Sequence, residues 1–564
     1  MLKSEEAMRK SSLLIFGALL PLVLAALPTP TLETRSGWVS GFIADGGIVE
    51  VFRGIPFAQP PTGDRRWRAP ERESSWGDGM RMATQFGHAC MQKPNSFTEI
   101  YPVTTSEDCL YLNVYRKSSR SSQSLPVMIF FHGGSYVLGA SSFLIYDATQ
   151  LVSAAAADDE VIVVTANYRL QVFGFLGGER MRDPGAFDGS GNWGLLDQRA
   201  AMQWVHENAA HLGADPSRVT IFGESAGAGS VSNHLISSRS WPYFNAAIMQ
   251  SGPVNAQWIT LPLKDAELSL STVMKNANCT TVEELRMKNR DVILKAGETG
   301  IVDHDQIDWA PVVDGVAILD TPATLLGRGH VHRVPVLLGT NKNEGTEFTS
   351  KSISDLPSYK KYLLGKFGTK VAPLVQAMYP IAEYASPFLA ASAVEGGKLH
   401  FYPLMMTIDQ NDFFSDYSMS CPARETARML SSNASSPVYL YYFTRELELV
   451  KLAKSNLGVF HGSELVFVFS TLTALLGPAE KELSAAFGKW WRSFAAHGSP
   501  GSDWKPYSSA SDALLNISTP PGMVSATKKT LCDFWHNTSV PPQAWRARRA
   551  RDGDSLSLFP FPKH

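Results

Sequence analysis

Val219-Thr220-Ile221-Phe222 runs without a break into Gly223-Glu224-Ser225-Ala226-Gly227, and Ala228-Gly229-Ser230 follow. The first four residues suit a short strand buried on both faces. The small residues after Ser225 can open a helix. Strand, sharp turn and helix around G-x-S-x-G form the setting of a nucleophile elbow. Glycine is needed two positions either side of the serine, because side chains there would meet the neighbouring strand and helix. Such a turn presents the Ser225 hydroxyl outward and aims the N–H of Ala226 at a developing oxyanion.

Upstream, the apolar run 127–131 ends in His132-Gly133-Gly134-Ser135. Bare backbone after a strand can approach a carbonyl oxygen closely, so Gly133 and Gly134 are candidate oxyanion donors beside Ala226. A preorganised donor of this kind contributes roughly 3–4 kcal/mol to transition-state stabilisation. Downstream, a serine nucleophile needs a base and an acid that orients the base. The run 334–338 leads into Gly339-Thr340-Asn341-Lys342-Asn343-Glu344, and Gly458-Val459-Phe460-His461-Gly462 places a histidine between glycines. Spacing alone leaves Glu344 and His461 as candidates among others, since a lone loop glutamate or histidine is usually just solvated.

Further short apolar runs lie at 161–165, 247–249 and 438–443, with helical patterns between them. The clearest helix covers 195–210, with Leu196, Ala200, Trp204 and Val205 on one stripe. Alternating strand and helix predicts an α/β fold with a doubly wound, mostly parallel central sheet flanked by helices. The stretches 264–307 and 350–414 read as helical insertions over an active site.

A chain of 564 residues that is 44% hydrophobic can bury a large core. A net charge of −2, with one basic cluster near the end of the sequence, excludes a nucleic-acid partner. Arg546, Arg548, Arg549 and Arg551 read as a solvated tail. Near the start, Lys3, Arg9 and Lys10 precede an apolar run at 13–27, with Ala25 and Ala26 at its end. That pattern predicts a signal peptide over 1–27 and a secreted protein; an uncleaved anchor is the alternative. Pro21 and the run's length disfavour a membrane span, and no second apolar stretch is long enough. Asn278, Asn433, Asn516 and Asn537 open glycosylation sequons. Five cysteines without a C-x-x-C pair predict about two disulfides and one leftover thiol. No metal is expected: His206 and His211 are five apart and miss a common helical face.

Together these segments resemble the type-B carboxylesterase and cholinesterase-like family of α/β-hydrolases. Glu107-Asp108-Cys109-Leu110-Tyr111-Leu112-Asn113-Val114 resembles one family signature, and Gly223 to Gly227 resembles the other. Phe52-Arg53-Gly54-Ile55-Pro56-Phe57-Ala58, Asn167-Tyr168-Arg169, Gly194-Leu195-Leu196-Asp197-Gln198, Gln250-Ser251-Gly252 and Pro311-Val312-Val313-Asp314-Gly315 follow in the family's order. The resemblance implies one carboxylesterase domain over 28–564. Ser225 would be nucleophile, Glu344 acid and His461 base, with Gly133, Gly134 and Ala226 as the oxyanion hole. Glu224 and Ser251 would stand behind the histidine, and Trp258 would match the acyl-pocket tryptophan. The implied disulfides are Cys90–Cys109 and Cys421–Cys532, leaving Cys279 unpaired. Arg53 with Glu107, and Arg169 with Asp197, would match scaffold ion pairs.

The sequence also departs from the family pattern. The 90–109 loop holds no tryptophan on which a choline cation could stack, which favours a general carboxylesterase over a cholinesterase. Asp305, Gln306 and Ile307 replace aromatic residues near the acyl pocket. The implied substrate is a small-molecule ester, hydrolysed through an acyl-enzyme without a cofactor. A fungal-type lipase with a short disulfide-closed lid, and a catalytically silent adhesion relative, are the alternative readings.

Overall fold

Apolar, β-branched segments need partners on both faces, and this chain supplies them by laying the segments side by side. The computed structural model describes residues 29–538 apart from 95–101, 120–122, 183–188, 299–308, 348–352, 385–398, 401–406, 409–415, 433–435, 453–456 and 526. The signal-peptide region, the basic tail, Asn433 and the 305–307 departure therefore lie outside the described residues. The central sheet comprises β1 (Phe42–Ala44), β2 (Val49–Pro56), β3 (Tyr111–Lys117), β4 (Leu125–Phe131), β5 (Ile162–Ala166) and β6 (Ala214–Glu224). It continues with β7 (Ala246–Gln250), β8 (Val336–Asn341), β9 (Val438–Phe443), β10 (Ala513–Ile517) and β11 (Gly522–Ser525). In space the order is β11-β10-β9-β8-β7-β6-β4-β5-β3-β2-β1. The run from β10 to β5 is parallel throughout. β11 on one side, and β3, β2 and β1 on the other, join antiparallel.

The pleat splits the interior into two cores. In β4, Val127, Ile129 and Phe131 face one core, while Met128 and Phe130 face the other. α1 (Trp193–Glu207) and α2 (Ala226–Ile236) contribute Leu196, Val205, Val231 and Leu235 to the first. α3 (Pro478–His497) contributes Phe487, Trp491 and Phe494 to the second. The loops after β4, β6, β7 and β8 therefore open at one edge of the sheet, at the carboxyl ends of parallel strands, where ligands of open α/β sheets bind.

Each of the six apolar runs falls on a strand, although 161–165 starts one residue before Ile162–Ala166 and 334–338 two residues before Val336–Asn341. β2 and β3 carry no such signal, because Glu50 and Arg116 interrupt their apolar runs. The fold buries Arg116 and pairs it with the partly buried Glu50, Arg116 Nε to Glu50 Oε2 at 2.7 Å. The predicted helix at 195–210 is α1, and a separate short helix, Ala209–Leu212, follows it. The first insertion holds helices Leu263–Asn276, Val282–Arg286 and Arg290–Glu298. The second is dominated by helix Leu356–Met378, whose Tyr359, Leu363, Phe367 and Tyr379 neighbour build a satellite core with Trp535.

One ion pair differs from expectation. Arg53 does not meet Glu107; it pairs with Asp147 at 2.8 Å. Glu107 instead takes Arg66, whose Nε and Nη2 each reach a carboxylate oxygen at 2.6 Å. That guanidinium also donates to the carbonyls of Arg286 and Lys288, so its fork is better matched to this buried corner. Arg169 and Asp197 pair as expected, at 2.7 Å. No helix among the described residues is long and apolar enough to cross a membrane.

Candidate active site

β6 stops at Glu224 and α2 starts at Ala226, leaving Ser225 alone at the turn with φ 56° and ψ −125°. This backbone is rarely adopted outside glycine and persists only where its surroundings enforce it. The Ser225 N–H donates to Gln250 O at 2.9 Å, and its carbonyl accepts from the Gly229 N–H at 2.8 Å. The expected need for glycine is met. A Cβ on Gly223 would lie 2.7 Å from Phe131 O, and one on Gly227 only 1.9 Å from that oxygen.

Glu344 follows β8 and is fully buried. Its Oε1 accepts from the Ser251 hydroxyl at 2.5 Å and from the Asn341 N–H at 2.7 Å. Its Oε2 lies 2.6 Å from His461 Nδ1. The opposite ring nitrogen, Nε2, is 3.2 Å from Oε1 of Glu224, the residue joined to Ser225. Residues 117 positions apart meet because their loops are stitched together. Asn343 exchanges two hydrogen bonds with Val459, and Asn341 Nδ2 donates to Phe460 O at 2.8 Å.

Behind this pair stands Glu464, which the sequence reading missed. It is fully buried and accepts from Asn341 Nδ2 at 2.5 Å and Gln250 Nε2 at 3.0 Å. Trp491 in turn donates to Gln250 Oε1 at 3.0 Å. Burial first, then the nearby charge of Glu344, raise the Glu464 pKa above the usual carboxylate value. A signal was available: an acidic residue heading the apolar run Leu465-Val466-Phe467-Val468-Phe469 is costly unless its carboxylate is hydrogen-bonded.

The glycines after β4 lie against the elbow. A Cβ on Gly133 would sit 3.0 Å from Ser225 Cβ and 2.8 Å from Glu224 Oε2. Neither Gly133 nor Gly134 gives its N–H to another described residue. Ala226 opens α2, so its N–H is among those a helix leaves without an internal acceptor. His132, just before these glycines, is buried with Nδ1 2.9 Å from Gly133 O, and its ring stacks on Tyr168. Three N–H donors without an acceptor among the described residues, beside a strained serine, can bind a developing negative charge.

Trp258 is half-buried beside Gly229, with Cζ3 3.2 Å from where a Cβ there would lie, which puts it one helical turn beyond Ser225. Disulfides join Cys90 to Cys109 and Cys421 to Cys532, and Cys279 is an unpaired, buried thiol. Among the sequons, Asn278 and Asn537 are exposed. Asn516 is half-buried within β10, where its Oδ1 accepts from the Thr444 hydroxyl at 2.9 Å. No group of three or more His, Cys, Asp or Glu among the described residues could hold a metal ion.

A parallel sheet with a serine elbow at its carboxyl edge defines an α/β-hydrolase. The family model described as the carboxylesterase family matches residues 28–535. The chain belongs to the carboxylesterase family, and it is a carboxylic ester hydrolase of the serine esterase type. It is 32% identical over 542 residues to a cholinesterase of Mus musculus, covering 89% of this chain and 86% of that protein. It is 30% identical over 580 residues to an acetylcholinesterase of Electrophorus electricus, covering 90% and 88%.

Proposed function

We propose that the protein is a secreted carboxylesterase that acylates Ser225, with His461 as base and Glu344 as the acid that orients it. One observation carries the reading: the His461 imidazole is held at Nδ1 by Glu344 and turns Nε2 toward the elbow that bears Ser225. In this mechanism the Ser225 hydroxyl attacks the ester carbonyl as its proton passes to His461 Nε2. Glu344 stabilises the imidazolium, and the N–H groups of Gly133, Gly134 and Ala226 take the oxyanion. His461 then protonates the departing alkoxide, and water repeats the sequence to release the acid.

The relatives' names point to choline esters, but the 90–109 loop has no tryptophan to face a quaternary ammonium. Esters without a quaternary ammonium are the better substrate class. Trp258 would line the acyl side, and the exposed Asn278 and Asn537 are the sequons best placed to carry glycans.

The test is labelling by a fluorophosphonate probe, read beside ester turnover. Wild-type protein should label, and Ser225→Ala should lose both the label and about 10⁴–10⁶-fold in kcat. Full labelling of Ser225→Ala would overturn the assignment.

A further inference from the structure

The loop that carries Gly133 and Gly134 is strained next to its proposed oxyanion donors. Ser135 and Tyr136 have left-handed φ angles of 55° and 59°, although neither is glycine. Inside the loop, Gly134 O accepts from Val137 N–H at 2.9 Å and from Leu138 N–H at 3.0 Å. Those bonds close a turn but do not fix where it stands relative to Ser225. Contacts from outside do that.

At the loop's entry, the Tyr168 hydroxyl donates to His132 O at 2.7 Å. At its exit, buried Gln92 donates to Gly139 O at 2.8 Å and accepts from Gly139 N–H at 3.0 Å. The middle of the loop is held by Gln171. Its backbone N–H donates to Tyr136 O at 2.8 Å, and its side-chain Nε2 donates to Val137 O at 2.6 Å.

Gln171 is itself left-handed, with φ 50°, and only 5% exposed. Glycine would take that backbone without strain. What glycine lacks is an amide that reaches Val137. A strained residue bonded to the most strained part of a facing loop, beside a reacting centre, fits strain retained for positioning.

We infer that Gln171 is a positioning residue that sets the height of the oxyanion cradle against Ser225. It touches no substrate atom; it acts through Tyr136 and Val137 on Gly134. The inference rests on the acyl-enzyme reading above, in which that cradle binds the oxyanion. Small misplacements of such a group are costly in rate while leaving ground-state binding almost untouched.

Two variants test it, each normalised to the fraction of sites titrated by the fluorophosphonate so that misfolded protein does not count. Gln171→Gly relieves the backbone strain and removes the amide. Gln171→Asn tolerates a left-handed backbone but is one methylene too short to reach Val137 O. Both should lower kcat roughly 10- to 100-fold, with KM unchanged within about twofold. A trifluoromethyl ketone supplies the second readout. Ser225 Oγ adds to its carbonyl, the proton passes to His461, and the resulting oxyanion sits in the cradle. Its inhibition constant should rise by the same factor as kcat/KM falls. Unchanged kcat per titrated site, or a fall in kcat without weaker ketone binding, overturns the role of Gln171. Retained activity in Ser225→Ala would overturn the acyl-enzyme reading instead, so the two failures are distinguishable.

Discussion

His132 and His234 are buried as neutral rings. Burial pushes the His132 pKa down to about 4, against the opposing hydrogen bond to Gly133 O. Burial, helped by the charge of Arg199, pushes His234 down to about 3. Both folded values lie below the ordinary 6.5, so the unfolded chain binds these protons first as pH falls. The stabilisation is complete above pH 6.5 and is lost as acid carries the protein down toward pH 4 and then 3. At about 1.4 kcal/mol per pKa unit, His132 accounts for about 3 kcal/mol and His234 for about 5 kcal/mol over that range. His234 is the cleaner probe, since His132 adjoins the cradle. Its Nδ1 meets Ser240 Oγ at 2.9 Å and its Nε2 meets Gln198 Oε1 at 3.1 Å. His234→Gln should lower the melting temperature at pH 7.5 yet flatten its decline between pH 6.5 and 4. A decline as steep as wild type would show that His234 is not the proton-binding group.

The elbow is the element that carries the proposed nucleophile, and its tolerances are set by packing. Gly227→Ala places a methyl 1.9 Å from Phe131 O and 2.9 Å from His132 O, both backbone atoms. Neither can swing aside as a side-chain tip could. Either α2 or the end of β4 must move; the first opens with Ala226 and the second leads into Gly133. The substitution should cost about 2–3 kcal/mol of stability, as overpacked cores do. It should also lower kcat well beyond what the residual folded fraction explains. Thermal melts beside turnover per titrated site would check both, and a stable, fully active variant would contradict this account. The elbow was legible because its requirements are local: strand residues, glycine spacing and a helix start all fall within one short window.

At the scale of the molecule, the second insertion and the C-terminal helix Lys529–Asn537 hang together through the satellite core. The Cys421–Cys532 bond closes 111 residues there, beside a partly buried ion pair between Lys528 and Asp416. Cross-linking a loop of that length stabilises by about 5 kcal/mol in the chain-entropy account. Cys421→Ser combined with Cys532→Ser should therefore lower the melting temperature and expose helix Leu356–Met378 to proteolysis first. Turnover per titrated site at 25 °C should stay within about threefold, because the triad candidates rest on the central sheet and not on this cluster. A collapse of turnover in the folded variant would tie the satellite core to catalysis.

Signals confined to neighbouring residues were open to reading along the chain. Six apolar runs, the serine turn, the glycines after 131 and the family blocks were enough for the α/β class and the esterase chemistry, and for proposing Ser225 as its nucleophile. Glu344 and His461 were only two carboxylate and imidazole candidates among others until the resemblance singled them out. The geometry that joins them comes from folding: Asn341 and Asn343 stitch their loops together across more than a hundred residues. Strands β2 and β3 stayed hidden because Glu50 and Arg116 look like surface charges until they pair with each other across the two strands. The same holds for Arg66 with Glu107, for Glu464 and for Gln171. A buried charge or amide is stable only beside its partner, and partnership across the chain is a property of three-dimensional packing that no local window contains.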